Sequence, residues 1–403
     1  MSTVVDADGH VFEPADVWVD RMDEHRWGDL VPRYVAEDDD GNESWYVGGV
    51  RRFAGTGIFG CAAGYDPEQL ASRVWKYTEG HAAGWDPIER VRVLDEEGMD
   101  LAVLYPTMGM LFGPLDPIPA IRDAEFALAC LRAYNDWVGE YCRSAPDRLA
   151  AMAAVPMHDV DLAVGEARRA IEQVGLAGVM LRSASPDAAR PLNHPVFDPM
   201  WALCQDLDAP VALHPATHVD FANAVRVFDL INREANVSVN NRGTDELHGG
   251  GAISHAVGAP VDAIVSMGRL LMGGVCERFP RLRVVFLEAG GGWLPSILHT
   301  MDAEVRARPN ERRWLSLLPS EYFRRQCWIS FDPEDPTLVP TVELLGDDRL
   351  MWATDFPHLD GVYPGAVDAL RENLAPLPET SRDRIMGANA LAAYGIGART
   401  PSS

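Results

Sequence analysis

The sequence predicts an α/β protein built as a (β/α)8 TIM barrel, with an N-terminal insertion after its first strand. Three observations predict it. Eight short apolar runs alternate with helical patterns along 403 residues, as parallel strands with crossover helices require. Four of the runs end in groups able to ligate a metal: Asp8 and His10 in VVDADGHV, His214 in PVALH, Glu288 in LRVVFLE and Asp355 in LMWATD. Central strands of a parallel sheet are apolar almost throughout, so a charge at their carboxyl end stands where such folds build sites. An open doubly wound sheet is the alternative, but ligands on both the first and last strands fit a closed ring better.

The first strand is read over residues 4–11. Residues two apart in a strand point to one side, so Asp8 and His10 converge. Asp6 shares that side and reads as structural. Pro14 turns the chain away, which ranks Glu13 low as a ligand. Residues 15–36 read as short helical pieces, 38–42 as a turn and 44–54 as a small hairpin. Residues 55–84 hold many glycines and aromatics without clean periodicity, and so long a loop usually serves function or cover. The whole insertion, 15–85, is expected to fold over the barrel mouth.

Helix 86–98 has Asp86 as its cap, Pro87 in its first turn and Gly98 at its end. Strands follow over 100–107, 148–157 (near His158), 176–181 (ending at Arg182), 210–214, 282–288, 326–331 and 350–355. Helices are expected over 118–143, 161–174, 196–207, 293–306 and 337–345. Residues 252–279 are helical in pattern with a break near 258–260. Residues 364–376 and 381–394 close the ring, giving one domain over 1–395, and 396–403 read as a disordered tail.

The composition, 47% hydrophobic and 24% charged, is that of a soluble globular protein. No run of 18 apolar residues occurs, so no membrane span is expected. The first residues lack the basic and apolar regions of a secretory signal, so the cytoplasm is the expected compartment. A net charge of −25 argues against nucleic acid as a partner. The six cysteines are scattered without CxxC spacing, which disfavours zinc-finger and dithiol readings. No GxGxxG follows a strand, and the Gly-rich stretch at 249–251 lacks GK[ST], so nucleotide cofactors are not expected.

DGHVFEP at 8–14, FLEAGGGW at 286–293 and WATDFPH at 352–358 together resemble the amidohydrolase superfamily, in its amidohydrolase 2 branch. That branch resembles aminocarboxymuconate semialdehyde decarboxylase. The resemblance covers most of residues 1–395. It implies that Asp8 and His10 take the place of an HxH pair, His214 that of a strand-five ligand and Asp355 that of a last-strand Asp able to ligate or take a proton. Glu288 stands where the decarboxylases have a His. The branch also implies a homodimer. Two departures, Asp8 and Glu288, replace imidazole by carboxylate. They make the site harder and more anionic, which favours Zn, Fe or Mn, as one ion or two.

The expected metal set is therefore Asp8, His10, His214, Glu288 and Asp355. The expected catalytic residues are Asp355, Glu288, His218 and His358. His358 follows Asp355 by three, and His218 follows His214 by four. Arg182 and His158 end strands four and three and are expected to bind substrate, since the arginine fork matches a carboxylate or phosphate. A bound metal lowers the pKa of water and polarises a carbonyl. A carboxylate at 288 suits ordering a water. The expected reaction is thus hydrolysis of an ester-like, thioester, amide or activated C–C bond in a small molecule, carboxylated, cyclic or an acyl thioester. Non-oxidative decarboxylation is the alternative. A non-catalytic barrel would carry apolar or bulky residues at these positions, and all five can bind metal.

Overall fold

The computed structural model describes residues 3–14, 16–36, 39, 43–54, 61–66, 76–113, 119–183, 189–215 and 254–397. Strand β1 (Val5–His10) leads through helix α1 (Asp16–Arg21) into a three-stranded antiparallel sheet of β2 (Arg33–Ala36), β3 (Glu43–Val47) and β4 (Val50–Ala54). Helix α2 (Pro87–Glu97) follows, then β5 (Leu101–Tyr105), helix α3 (Ala124–Arg143), β6 (Leu149–Ala154), α4 (Val160–Arg169), β7 (Gly178–Arg182), α5 (Asp198–Asp206) and β8 (Val211–His214). After α6 (Ala259–Leu271) come β9 (Val284–Phe286), α7 (Leu294–Ala307), α8 (Pro319–Gln326), β10 (Cys327–Phe331), α9 (Leu338–Leu345), β11 (Leu350–Trp352), α10 (Ala366–Asn373) and α11 (Asn389–Tyr394).

Eight strands form one parallel sheet in the order β1-β5-β6-β7-β8-β9-β10-β11. This is the (β/α)8 barrel expected from the alternating pattern. Runs such as LAVLY and CWISF are buried at every position, as strands covered on both faces must be. The first and last strands meet at a seam, where Asp355 N donates to Asp8 O (3.0 Å) and His10 N donates to Phe356 O (2.8 Å). Tyr394 of α11 donates to Ala7 O (2.7 Å) and accepts from Tyr105 (2.8 Å), so the chain's last helix is fastened to its first strand.

Local sequence explains most boundaries. Asp86 accepts from Ile88 N and Glu89 N, Pro87 occupies the first turn, and Gly98 ends α2 at φ 75°. Asp123 caps α3, so that helix starts at Ala124 after a short 3-10 turn over Pro119–Arg122. Three expectations need correction. Residues 33–36 form a strand, because Tyr34 pairs with Trp45 across β2 and β3 and pairing outweighs local propensity. The break expected near 258–260 falls instead after Leu271, at Gly274 (φ 80°). A π turn over Ser254–Gly258 runs straight into α6, whose Pro260 sits in the first turn where its missing N–H leaves no bond unmade. Helix α8, whose Glu321 carboxylate accepts from Leu318 N (2.7 Å), had no counterpart in the sequence reading.

In the excursion after β1, Trp45 packs on Trp18 (5.6 Å between centroids) and on Phe112 of the loop after β5 (5.7 Å). The expectations for residues 217–250, including His218, and for 398–403 fall outside the described residues. All six cysteines are free thiols. Among the described residues, no helix is long and apolar enough to cross a membrane.

Candidate metal centre

β1 carries one residue more than its partner β5 between Asp6 and Gly9. Such a bulge re-aims the side chains beyond it. Asp8 and His10 then meet His214, the last residue of β8. Each side chain is at most 1% exposed. His10 Nδ1 donates to Pro106 O (3.0 Å), and His214 Nδ1 donates to Pro215 O (2.7 Å). A carbonyl can only accept, so both rings carry hydrogen on Nδ1 and leave a lone pair on Nε2. Those two Nε2 atoms face each other at 3.2 Å. The Asp8 carboxylate lies 3.6 Å from one and 3.5 Å from the other, and its Oδ1 is buried without a hydrogen-bond partner.

Two lone pairs and a carboxylate converging in a buried pocket repel one another, and a cation between them removes the conflict. The three residues offer ligand atoms within 4.8 Å of one another. Burial, with His358 and His214 adding to it, holds the His10 pKa well below its ordinary value. The ring is neutral, as a ligand must be. Residues and ion chemistry fit.

A second group adjoins the first: His10, Asp355 and His358. Asp355 Oδ1 lies 3.2 Å from His10 Nε2 and 2.9 Å from His358 Nδ1, and the two imidazoles stack at 3.9 Å. Burial pushes the Asp355 pKa up to about 6, with His358 pulling the other way. Burial works to lower the His358 pKa, but the Asp355 carboxylate outweighs it and the net shift is upward.

Glu288 sits differently. Its carboxylate lies 3.2 Å from His214 Nδ1, on the opposite side of the ring from Nε2, and 3.6 Å from His255 Nδ1. It joins neither ligand-spaced group among the described residues. Burial first, then Asp355 and Asp8, raise its pKa well above the ordinary range. Glu288 (φ 45°) and Asp355 (φ 56°) both occupy the left-handed region. Non-glycine residues reach it rarely, and they cluster at functional sites when they do.

Arg182 ends β7 in register with His214, so both side chains leave the same face of the sheet. A Cβ at Gly113 would overlap the guanidinium, so the mouth loop and Arg182 pack backbone to side chain. His158 follows β6. Burial lowers its pKa to about 4, and Arg182 adds to the shift, so this ring too is neutral.

Four residues escaped the sequence reading or were undervalued in it. Thr107 donates its hydroxyl to Val11 O (2.7 Å) and accepts from His358 Nε2 (2.9 Å). Glu13 accepts from Met108 N (2.9 Å) and Gly109 N (2.8 Å) and anchors the loop over the mouth. Asp6 and Arg90 are buried at the seam. The signals for Glu13 and Asp6 were present, as carboxylates inside or directly after a buried strand. Thr107 and Arg90 left none, because each acts through a contact that folding alone creates.

The family model described as Amidohydrolase matches residues 5–396. The chain belongs to the amidohydrolase family, in its amidohydrolase 2 branch. Among its relatives is the 2-amino-3-carboxymuconate-6-semialdehyde decarboxylase of Dictyostelium discoideum, 25% identical over 315 residues and 77% of each chain. A gamma-resorcylate decarboxylase of Rhodococcus jostii is 28% identical over 281 residues, 66% of this chain and 76% of the relative. An amidohydrolase of Mycobacterium avium subsp. paratuberculosis K-10 has the same fold (TM-score 0.76, 22% identity, 98% and 99% covered). So does a dihydroxybenzoic acid decarboxylase of Polaromonas sp. JS666, solved with manganese and 2-nitroresorcinol (TM-score 0.59, 20% identity, 99% and 98% covered). A divalent metal cofactor accords with the donor set of this amidohydrolase.

Proposed function

We propose that this amidohydrolase is a divalent-metal-dependent, non-oxidative decarboxylase of a small aromatic or otherwise unsaturated carboxylic acid. The observation that carries the reading is the Asp355–His358 contact (2.9 Å) directly beside the Asp8, His10 and His214 donors. Hydrolysis was the first expectation from the carboxylate at 288. The relatives named for decarboxylation support the second expectation instead.

Asp8, His10 and His214 would hold one ion, with Asp355 at its edge. When bound there, the ion supplies a Lewis acid that polarises a substrate oxygen. Thr107 accepts from His358 Nε2, which leaves His358 Nδ1 facing Asp355 Oδ1 (2.9 Å), and the proton to be transferred is carried by this pair. That proton goes to the unsaturated carbon bearing the carboxyl group. The C–C bond then breaks, its electron pair returns to the unsaturated system, and carbon dioxide leaves. Arg182 anchors the substrate carboxylate or a second anionic substituent, and neutral His158 offers a hydrogen bond beside it. Glu288 stands 3.2 Å from His214 Nδ1, whose hydrogen goes to Pro215 O, and lines the pocket. The described residues of the 15–85 excursion cover the mouth in this reading, which rests on the packing of Trp45 against Phe112. A homodimer belongs to the same reading through the branch resemblance, and sedimentation tests it.

The reaction is tested by giving manganese-loaded protein a panel of ortho-hydroxybenzoic acids and carboxylated muconate-like acids in D2O. Carbon dioxide release with one deuterium at the vacated carbon is expected. An acid product carrying oxygen from labelled water, with no carbon dioxide, would restore hydrolysis.

A further inference from the structure

We propose that Asp6 and Arg90 are positioning residues: two buried side chains that close the barrel seam from either side and set Asp8, His10 and Asp355 at ligand spacing. The inference rests on the metal reading above and concerns what holds the donors in place.

Arg90 belongs to α2, on the outside of the ring, yet it is 1% exposed. Its Nη1 donates to His10 O (2.9 Å) and to Phe356 O (3.2 Å), and its guanidinium lies 5.0 Å from the Phe356 ring centroid. One cation thus grips the end of β1 and the segment just past β11. Asp6, also 1% exposed, accepts from Thr354 N (3.0 Å), Thr354 Oγ1 (2.6 Å) and Asp8 N (3.3 Å). Thr354 Oγ1 accepts in turn from Phe356 N (3.0 Å).

The donors at the seam are therefore bracketed. Asp8 is held through its own N–H, and His10 through its own carbonyl. Asp355 lies between Thr354 and Phe356, both of which the pair holds. Gly9 lets the two side chains in: a Cβ there would overlap Arg90 Nη2 and stand 2.9 Å from Asp6 Oδ2. At the seam, the pair and its bonds supplement the backbone bonds between β1 and the residues after β11. Because ligand spacing is fixed to a fraction of an ångström only where a supporting shell exists, metal affinity should depend on it.

The test measures manganese dissociation constants by EPR of the free ion, alongside the thermal midpoint of the metal-free protein. Arg90→Met and Asp6→Asn are expected to weaken manganese binding at least about tenfold in protein that is still folded. Arg90→Lys should recover part of the loss, since it keeps the charge but not the fork. The control is Glu166→Gln. Glu166 is buried far along the chain and bonded by Arg132, Asn135 and Arg169, so its loss should lower the midpoint and leave manganese affinity within about twofold. If Arg90→Met fails to fold, Thr354→Val removes only the hydroxyl that links Asp6 to Phe356, and the same weakening is expected. Folded variants that bind manganese as tightly as wild type would overturn the inference and leave the decarboxylase reading intact. A wild type that binds no manganese would overturn both.

Discussion

Thr107 commits its hydroxyl hydrogen to the Val11 carbonyl, and this fixes the state of His358. The oxygen can then only accept from Nε2, so Nδ1 is the nitrogen left facing Asp355 Oδ1 at 2.9 Å. Thr107→Val should remove that constraint without touching a donor of the metal set. We expect kcat to fall about tenfold to a hundredfold, as for other lost orienting partners, with manganese content unchanged by atomic absorption. Equal losses of kcat and metal would mean that Thr107 supports the donors instead.

Glu13 supplies a second residue-scale prediction. It is fully buried, and burial raises its pKa to about 7 against four backbone hydrogen bonds, those of Gly109 and Met108 the largest, that work to lower it. A carboxyl with a raised folded pKa takes up its proton more readily when folded. Its contribution is therefore complete below its ordinary value, near 4.5, and is lost as pH rises through about 7. The linkage amounts to about 3 kcal/mol. Urea unfolding of metal-free protein between pH 4.5 and 7.5 should show stability declining with pH, less steeply in Glu13→Gln. Parallel curves would assign the slope to other groups.

At the scale of elements, β1 does most to place the site. Its bulge turns Asp8 toward His214, and its one glycine makes room for the seam's two side chains. Gly9→Ala should destabilise the protein by about 1–3 kcal/mol through overpacking against Arg90 and Asp6, read as a lower urea midpoint at unchanged slope. An unchanged midpoint would mean that the guanidinium shifts freely, against its two backbone bonds. The barrel strands were readable because an apolar run cut off by Asp, His or Glu marks a buried strand whose end reaches a polar site. The capped helix α2 was readable for the same kind of local reason. β2 was not, because RYVA becomes a strand only beside Trp45. The side of His214 on which Glu288 lies was not readable either. Sequence puts Glu288 at the end of β9, but its left-handed backbone decides where the carboxylate points. The seam is the clearest case: Asp6 and Thr354 are 348 residues apart, and no local pattern joins them.

For the whole molecule, the ring gathers anionic groups that oppose one another, and a net charge of −25 surrounds them. Both features favour a divalent cation, by different routes. The buried donors supply short-range affinity that salt barely screens, while the overall charge draws the cation in from solution. Binding to the folded state alone should raise stability by about 2.7 kcal/mol at a hundredfold excess over Kd. Manganese should therefore raise the thermal midpoint, EDTA should reverse the rise, and Asp8→Ala or His214→Ala should abolish it. The two routes separate by ionic strength. The Debye length falls from about 30 Å at 0.01 M salt to about 8 Å at 0.15 M. Across that range the manganese association rate should drop severalfold in stopped flow while the dissociation rate stays nearly constant. An anionic substrate meets the opposite field, so its kcat/KM should rise over the same range. A substrate rate that instead falls with salt would mean that a local positive field around Arg182 outweighs the charge of the rest of the chain.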